Sequence, residues 1–183
     1  MRRLFIALDL PETLRDGLLG VAEGLGIGRE VEEENLHLTL AFLDAQADDV
    51  LEPLHEGLSD LRLPQVRLQL QGLEVWGGKS PNALVMLAER VPELLHLQEK
   101  VAQVVRGAGI DLPRRRFKPH VTLVRFQRGL PPDAQARLAA FVLSQGATMM
   151  PLEEGVTFSL YQSTLTADGP IYEALASYGL QPI

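Results

Sequence analysis

The sequence predicts an α+β fold of antiparallel sheet arranged as two pseudo-symmetric lobes, with helices packed outside and an active-site cleft between the lobes. Three observations carry this. Runs of helical and of strand periodicity follow one another without forming consistent strand–helix–strand units of the parallel kind. The pattern His-x-Thr-Leu occurs twice, at His37-Leu38-Thr39-Leu40 and at His120-Val121-Thr122-Leu123, 83 positions apart in a chain of 183. Each copy follows a strand-like and then a helix-like run, so the order strand, helix, His-Thr strand is echoed, although the surrounding sequences are too different to prove a duplication.

Taken in order, Arg3 to Asp9 reads as a buried strand. Met1 to Leu8 is basic and then apolar, like a signal peptide, but Asp9, Pro11 and Glu12 interrupt it too early. Pro11 suits a first helical turn, and Leu14, Leu18, Val21 and Leu25 recur at helical spacing toward Gly24 to Gly28. The acidic stretch Glu30 to Glu34 reads as a solvated connector. Leu36 to Leu43 is the first motif strand, with Leu36, Leu38, Leu40 and Phe42 on one face and His37, Thr39, Ala41 and Leu43 on the other. Asp48 is the expected cap of a helix carrying Leu51, Leu54, Leu58 and Leu61. Val66, Leu68 and Leu70 alternate as a half-exposed strand, Gly72 to Trp76 continues it or starts another, and Ala83 to Ala88 is a strand after the turn at 77–81. Pro92 opens a helix closed by Gly107 and Gly109. The second motif strand is expected from Phe117 to Phe126, a helix from Pro132 to Leu143, and strands over Ala147 to Leu152, Gly155 to Thr166 and Pro170 to Tyr178.

Composition narrows the class. The chain is long enough for a sizeable core and has no linker, so a single bilobal domain over 1–183 is expected, both lobes contributing to the site. A hydrophobic content of 46% and charged content of 22% are ordinary for a soluble protein, and no apolar run approaches the roughly 18 residues that span a membrane. The absence of cysteine makes a disulfide framework impossible, and a cytoplasmic location is the simplest expectation. The four histidines, His37, His55, His96 and His120, do not pair at zinc-site spacings, and no metal is expected. A net charge of -7 argues against a broad surface for long nucleic acid. Locally, Arg114, Arg115, Arg116, Lys118, Arg125 and Arg128 surround the second motif without an intervening acid, which favours a small anionic ligand or a nucleic-acid end.

In each motif the histidine and threonine share a strand face. With seven threonines in the chain, two of four histidines would be followed by threonine two positions later in roughly 1% of shuffled sequences, so the repeat reads as functional. His55 and His96, on helices, are expected to be solvated or at the core edge. Paired imidazoles suit a reaction in which one bond to phosphorus forms while the opposite one breaks, one ring deprotonating water and the other protonating the leaving oxygen. Reference pKa values near 6.5 make both states accessible near neutrality. The threonine hydroxyls can hold non-bridging oxygens.

Glu34 to Leu43 and Phe117 to Arg125 resemble the two signature strands of the 2H phosphoesterase superfamily, specifically the RNA 2′,3′-cyclic phosphodiesterases once called 2′-5′ RNA ligases. Arg3 to Leu8, Tyr161-Gln162-Ser163 and Gly169 to Tyr172 are similar to that family's terminal segments. Two positions depart from it: Asp44 stands where the family usually has glycine, and Trp76-Gly77-Gly78 replaces a Phe-Pro type turn. The resemblance implies a V-shaped cleft and metal-independent opening of a terminal 2′,3′-cyclic phosphate to a 2′-phosphate, with His120 as general base and His37 as general acid; the residues themselves are consistent with either assignment. Five positions after each histidine stand Phe42 and Arg125, which in the family match a base-contacting aromatic and a phosphate-binding arginine. Regular alternation turns both away from the histidines, so a bulge or strand end must re-aim them if they touch ligand.

The leading expectation is therefore a cofactor-free phosphodiesterase acting on RNA ends or small cyclic nucleotides, as a monomer. The alternatives are ATP-independent 2′-5′ ligation by the reverse reaction, and a non-catalytic RNA or nucleotide sensor using the same cleft.

Overall fold

In the computed structural model, which describes residues 1–113, 115–167 and 169–182, the two motif strands lie at the middle of one curled antiparallel sheet. Strands β1 (Arg2–Asp9), β2 (Arg29–Glu30) and β3 (His37–Gln46) flank helix α1 (Glu12–Glu23). Helix α2 (Leu51–Ser59) leads to β4 (Val66–Leu68), β5 (Leu70–Trp76) and β6 (Ala83–Ala88). Helix α3 (Pro92–Gly107) precedes β7 (His120–Arg125), and α4 (Pro132–Gln145) precedes β8 (Glu153–Gly155), β9 (Thr157–Thr166) and β10 (Gly169–Gly179). The strand order is β10-β9-β1-β3-β7-β6-β5; β2 pairs with β7, and β4 with β8 in a small second sheet.

The echo in the sequence is an echo in space. In one half β1 enters, α1 crosses and β3 returns beside β1; in the other, β6 enters, α3 crosses and β7 returns beside β6. The halves join where β3 meets β7 at a single registered pair, Leu38 with Val121. Beyond that pair β3 leaves β7, and β2 takes its place at Val124 and Arg125. The cleft is the gap this divergence opens. The helices interlock the halves, because α1 packs against β7 and α3 against β3. Their apolar stripes, Leu14 and Leu18 on α1 and Leu94, Leu97, Val101 and Val105 on α3, are buried in one core that also takes in Leu38 and Val121.

Several expected elements move. The acidic connector contains strand β2 and a 3₁₀ turn at Glu33–Asn35, because Val31 N–H continues the ladder by donating to the Leu123 carbonyl at 2.8 Å. Asp48 caps no helix: α2 follows a 3₁₀ turn at Asp48–Val50, and the Asp48 carboxylate pairs with Arg2 at 2.9 Å. The second motif strand begins at His120 and not at Phe117, since Pro119 has no N–H and the carbonyls of Phe117 and Lys118 accept from side chains, Arg90 and His120. Ala147 to Leu152 is not a strand and only bridges β5, at Gln71–Met149.

Candidate active site

A side chain's direction on a strand is set by alternation until a bulge inserts one residue. In β3 the register against β1 skips Leu40, pairing Ile6 with Ala41 and Ala7 with Thr39. In β7 the register against β6 skips Leu123, pairing Leu84 with Val124 and Val85 with Thr122. Leu40 and Leu123 are the same position of the repeat, third after the histidine. The consequence is identical in both strands: two consecutive buried residues, Leu40-Ala41 and Leu123-Val124, and then an exposed one on the histidine side. Phe42 and Arg125 are thereby turned into the cleft, where His37, Thr39, His120 and Thr122 also point.

The cleft has a volume of about 880 Å³ and both motifs line it. The two imidazoles are held the same way: Nδ1–H of His37 donates to the Asn35 carbonyl at 2.7 Å, and Nδ1–H of His120 to the Lys118 carbonyl at 2.8 Å. In each case the acceptor lies two residues upstream. This contact selects the tautomer that leaves Nε2 as the group able to exchange a proton.

Their surroundings differ. His37 is lodged among aromatic rings, with centroids 4.8 Å from Phe5 and 5.3 Å, edge-on, from Tyr172, and its Nε2 accepts from the Thr39 hydroxyl at 3.1 Å. Burial lowers its pKa to about 4, with smaller reductions from the charges of Arg125 and His120, against the Asn35 bond that raises it. His120 packs on Trp76, centroids 4.1 Å apart. Glu74 orders that side by accepting from Trp76 Nε1 at 2.8 Å and Lys118 Nζ at 2.6 Å. Burial again lowers the His120 pKa, Arg125 and Lys118 lower it further, and the Lys118 carbonyl bond and Glu74 oppose them.

The basic run is mostly elsewhere. Of its described members only Arg125 lines the cleft; Lys118 is paired with Glu74, Arg115, Arg116 and Arg128 are exposed away from the cleft, and Arg114 lies outside the described residues. His55 is exposed, with Nδ1 3.0 Å from the Tyr178 hydroxyl, and His96 is exposed on α3. Among the cleft residues that escape sequence reasoning as site residues are Arg29, Asn35, Trp76 and Tyr172. Asn35 and Tyr172 belong to the segments that carry the family resemblance, and Trp76 to a departure from it, but Arg29 borders a run that reads as connector. Among the described residues, no three His, Asp or Glu side chains gather in a metal-ligating group.

A sheet whose halves meet at one residue pair, with a His-x-Thr strand on either side of the opening, is the frame of a two-histidine phosphoesterase. The chain belongs to the 2′-5′ RNA ligase superfamily, whose family model matches residues 22–149. It is 30% identical over 181 residues to the RNA 2′,3′-cyclic phosphodiesterase of Thermotoga maritima, covering 94% of this chain and 92% of that one. In structure it is similar to TT0787 of Thermus thermophilus, with a TM-score of 0.79 and 26% identity over 98% of both chains. It is likewise similar to LigT of Escherichia coli complexed with NADP+, with a TM-score of 0.74 and 26% identity over 98% of both. Among the described residues, no helix is long and apolar enough to cross a membrane.

Proposed function

We propose that this chain hydrolyses terminal 2′,3′-cyclic phosphates on RNA or nucleotides to 2′-phosphates, a reading supported by its curated relatives' name, RNA 2′,3′-cyclic phosphodiesterase. The observation that carries it is the pair of Nε2 atoms turned toward the cleft by matching backbone contacts at Nδ1, that of His37 meeting its own motif's Thr39 hydroxyl, on two strands that diverge from one point. A phosphodiester seated between them meets a proton acceptor on one side and a proton donor on the other.

In this reading His120 Nε2 takes a proton from water as its oxygen bonds to phosphorus. The P–O3′ bond breaks, and the departing 3′ oxygen receives the proton carried on His37 Nε2. The product keeps the P–O2′ bond, and the two rings have exchanged protonation states, which solvent restores. The Thr39 and Thr122 hydroxyls donate to the non-bridging oxygens, and Arg125 offsets the phosphate's charge. Phe42, 56% exposed on the cleft wall, gives the terminal base a face to stack on. Because each lobe supplies one histidine and one threonine, both lobes are required, and the work is that of one bilobal unit acting as a monomer without a metal.

His37 must be protonated to act as the acid, and in the free protein its pKa of about 4 keeps it neutral. An anionic phosphodiester beside it favours the imidazolium, so substrate binding and proton uptake are linked. That same low pKa favours a second reading in which His37 is the base and His120 the acid. A substrate with sulfur in place of the bridging 3′ oxygen separates the two, since a thiolate leaves without an acid. If His37 is the acid, His37→Asn regains turnover on the sulfur substrate and His120→Asn does not; the opposite pattern exchanges the roles. Wild-type rates on the ordinary cyclic phosphate in either variant would remove paired-histidine catalysis altogether.

A further inference from the structure

Arg29 on β2 stands directly opposite Arg125 on β7, and both side chains line the cleft. Residues facing each other across an antiparallel pair share a face, and like charges there repel. Among the described residues neither guanidinium is within ion-pairing distance of a carboxylate, the ion pairs being Arg2–Asp48, Arg15–Glu33 and Lys118–Glu74. Among those residues Arg29 and Arg125 are also the only lysine or arginine side chains on a wall whose other charged groups, apart from the histidines, are Glu30, Glu32 and Glu34. Among the described residues, an anion entering this cleft therefore finds its arginine contacts on this one strand pair, and its arrival relieves the repulsion between two opposed arginines.

Arg29 is seated in a specific place. Its guanidinium lies against Gly169 in the β9–β10 hairpin, where a Cβ would overlap Cζ and both terminal nitrogens, and where φ is +120°. Glycine is what lets the side chain approach this closely. Asn35 fixes the same hairpin, its amide donating to the Pro170 carbonyl at 3.2 Å. Arg125 is the arginine whose charge reaches both imidazoles. Arg29 flanks it from β2, beyond the point at which β3 has left β7. In an RNA end that terminates in a cyclic phosphate, the next phosphate is the one on the 5′ oxygen of the same terminal nucleoside.

We infer that Arg29, beside the Arg125 that serves the cyclic phosphate, forms a second anion subsite that binds the phosphate on the 5′ oxygen of the terminal nucleoside. The inference rests on the cyclic-phosphate reading above and refines it: a substrate carrying that second phosphate is preferred to a bare nucleoside 2′,3′-cyclic phosphate.

The test compares kcat/KM for three substrates: a nucleoside 2′,3′-cyclic phosphate, the same molecule with a 5′-phosphate, and a dinucleotide with a cyclic-phosphate end. The wild type is expected to favour both molecules that carry the second phosphate. Arg29→Gln should cut kcat/KM on those two by at least about tenfold, as expected for loss of a charged contact, and leave the bare nucleotide within about twofold. Arg29→Lys, which keeps the charge without the fork, should fall between. Equal wild-type efficiency on all three overturns the subsite whatever the variants do. So does a uniform loss in Arg29→Gln, and so does an advantage confined to the dinucleotide, which would assign it to the upstream nucleoside. Absence of wild-type turnover on all three would instead overturn the cyclic-phosphate reading.

Discussion

Leu38 and Val121, the residues between histidine and threonine in the two motifs, face each other as the one registered pair joining β3 to β7. They are the same position of the repeat, so a pseudo-twofold axis passes between them. The axis relates His37 to His120, Thr39 to Thr122, one bulge to the other and Phe42 to Arg125. Both side chains are fully buried, and what they hold in register is the polar face on the other side of the strands.

Truncating this pair should couple stability to activity. Leu38→Ala is expected to cost about 2–5 kcal/mol and Val121→Ala about 1–3 kcal/mol in urea denaturation. Because they touch across the joint, the double variant should depart from the sum by about 0.5–3 kcal/mol. Additivity within about 0.3 kcal/mol would mean that the two halves do not communicate through this pair.

The pH profile follows from the two depressed imidazoles. In the free enzyme the plateau of kcat/KM lies between the two pKa values, one about 4 and the other below its usual 6.5, so the optimum should fall below pH 6.5. The phosphate raises both in the complex, which moves the kcat profile to higher pH than that of kcat/KM. Arg125→Gln removes a charge that lowers both rings, and its kcat/KM optimum should move upward. Coincident kcat and kcat/KM profiles, or no displacement in the variant, would contradict the electrostatic account.

His37 should also be visible in folding. Its pKa is about 4 when folded and about 6.5 when unfolded. Between those values the unfolded chain binds a proton that the native state does not, so stability is complete above 6.5 and is lost as pH falls toward 4. The loss from this group amounts to about 3 kcal/mol at its limit. His37→Asn cannot titrate and should flatten that part of the stability curve measured by urea melts. The same acid slope in both proteins would show that His37 is not desolvated as described.

Much of this is legible in the residues, and the misses share a cause. Periodicity is local, so it finds the motif strands, the helices α1 and α3, and the facing of His37 with Thr39 and His120 with Thr122. It cannot find the bulges at Leu40 and Leu123, because an inserted residue is defined by the partner strand's register and not by its own sequence. Strict alternation therefore assigns Phe42 and Arg125 to the wrong face. Arg29 escapes for the same reason: a two-residue strand has no period, and β2 exists only because β7 offers an edge where β3 has departed.

Asp44 supplies the last test. Where the family usually has glycine, Asp44 has φ of 55° in the left-handed region, directly after Leu43, which the β1–β3 register skips. A left-handed conformation costs an ordinary L-residue about 1–2 kcal/mol, and aspartate is among the few that adopt it routinely, whereas glycine forfeits about 0.5–1 kcal/mol in chain entropy. The two terms nearly cancel for Asp44→Gly, which should be within about 0.5 kcal/mol of the parent protein. Asp44→Val meets the full steric cost and should lose about 1–2 kcal/mol. Thermal or urea denaturation of the two variants decides it: a valine variant as stable as the aspartate protein would mean that the left-handed turn after Leu43 is not what selects the residue at 44.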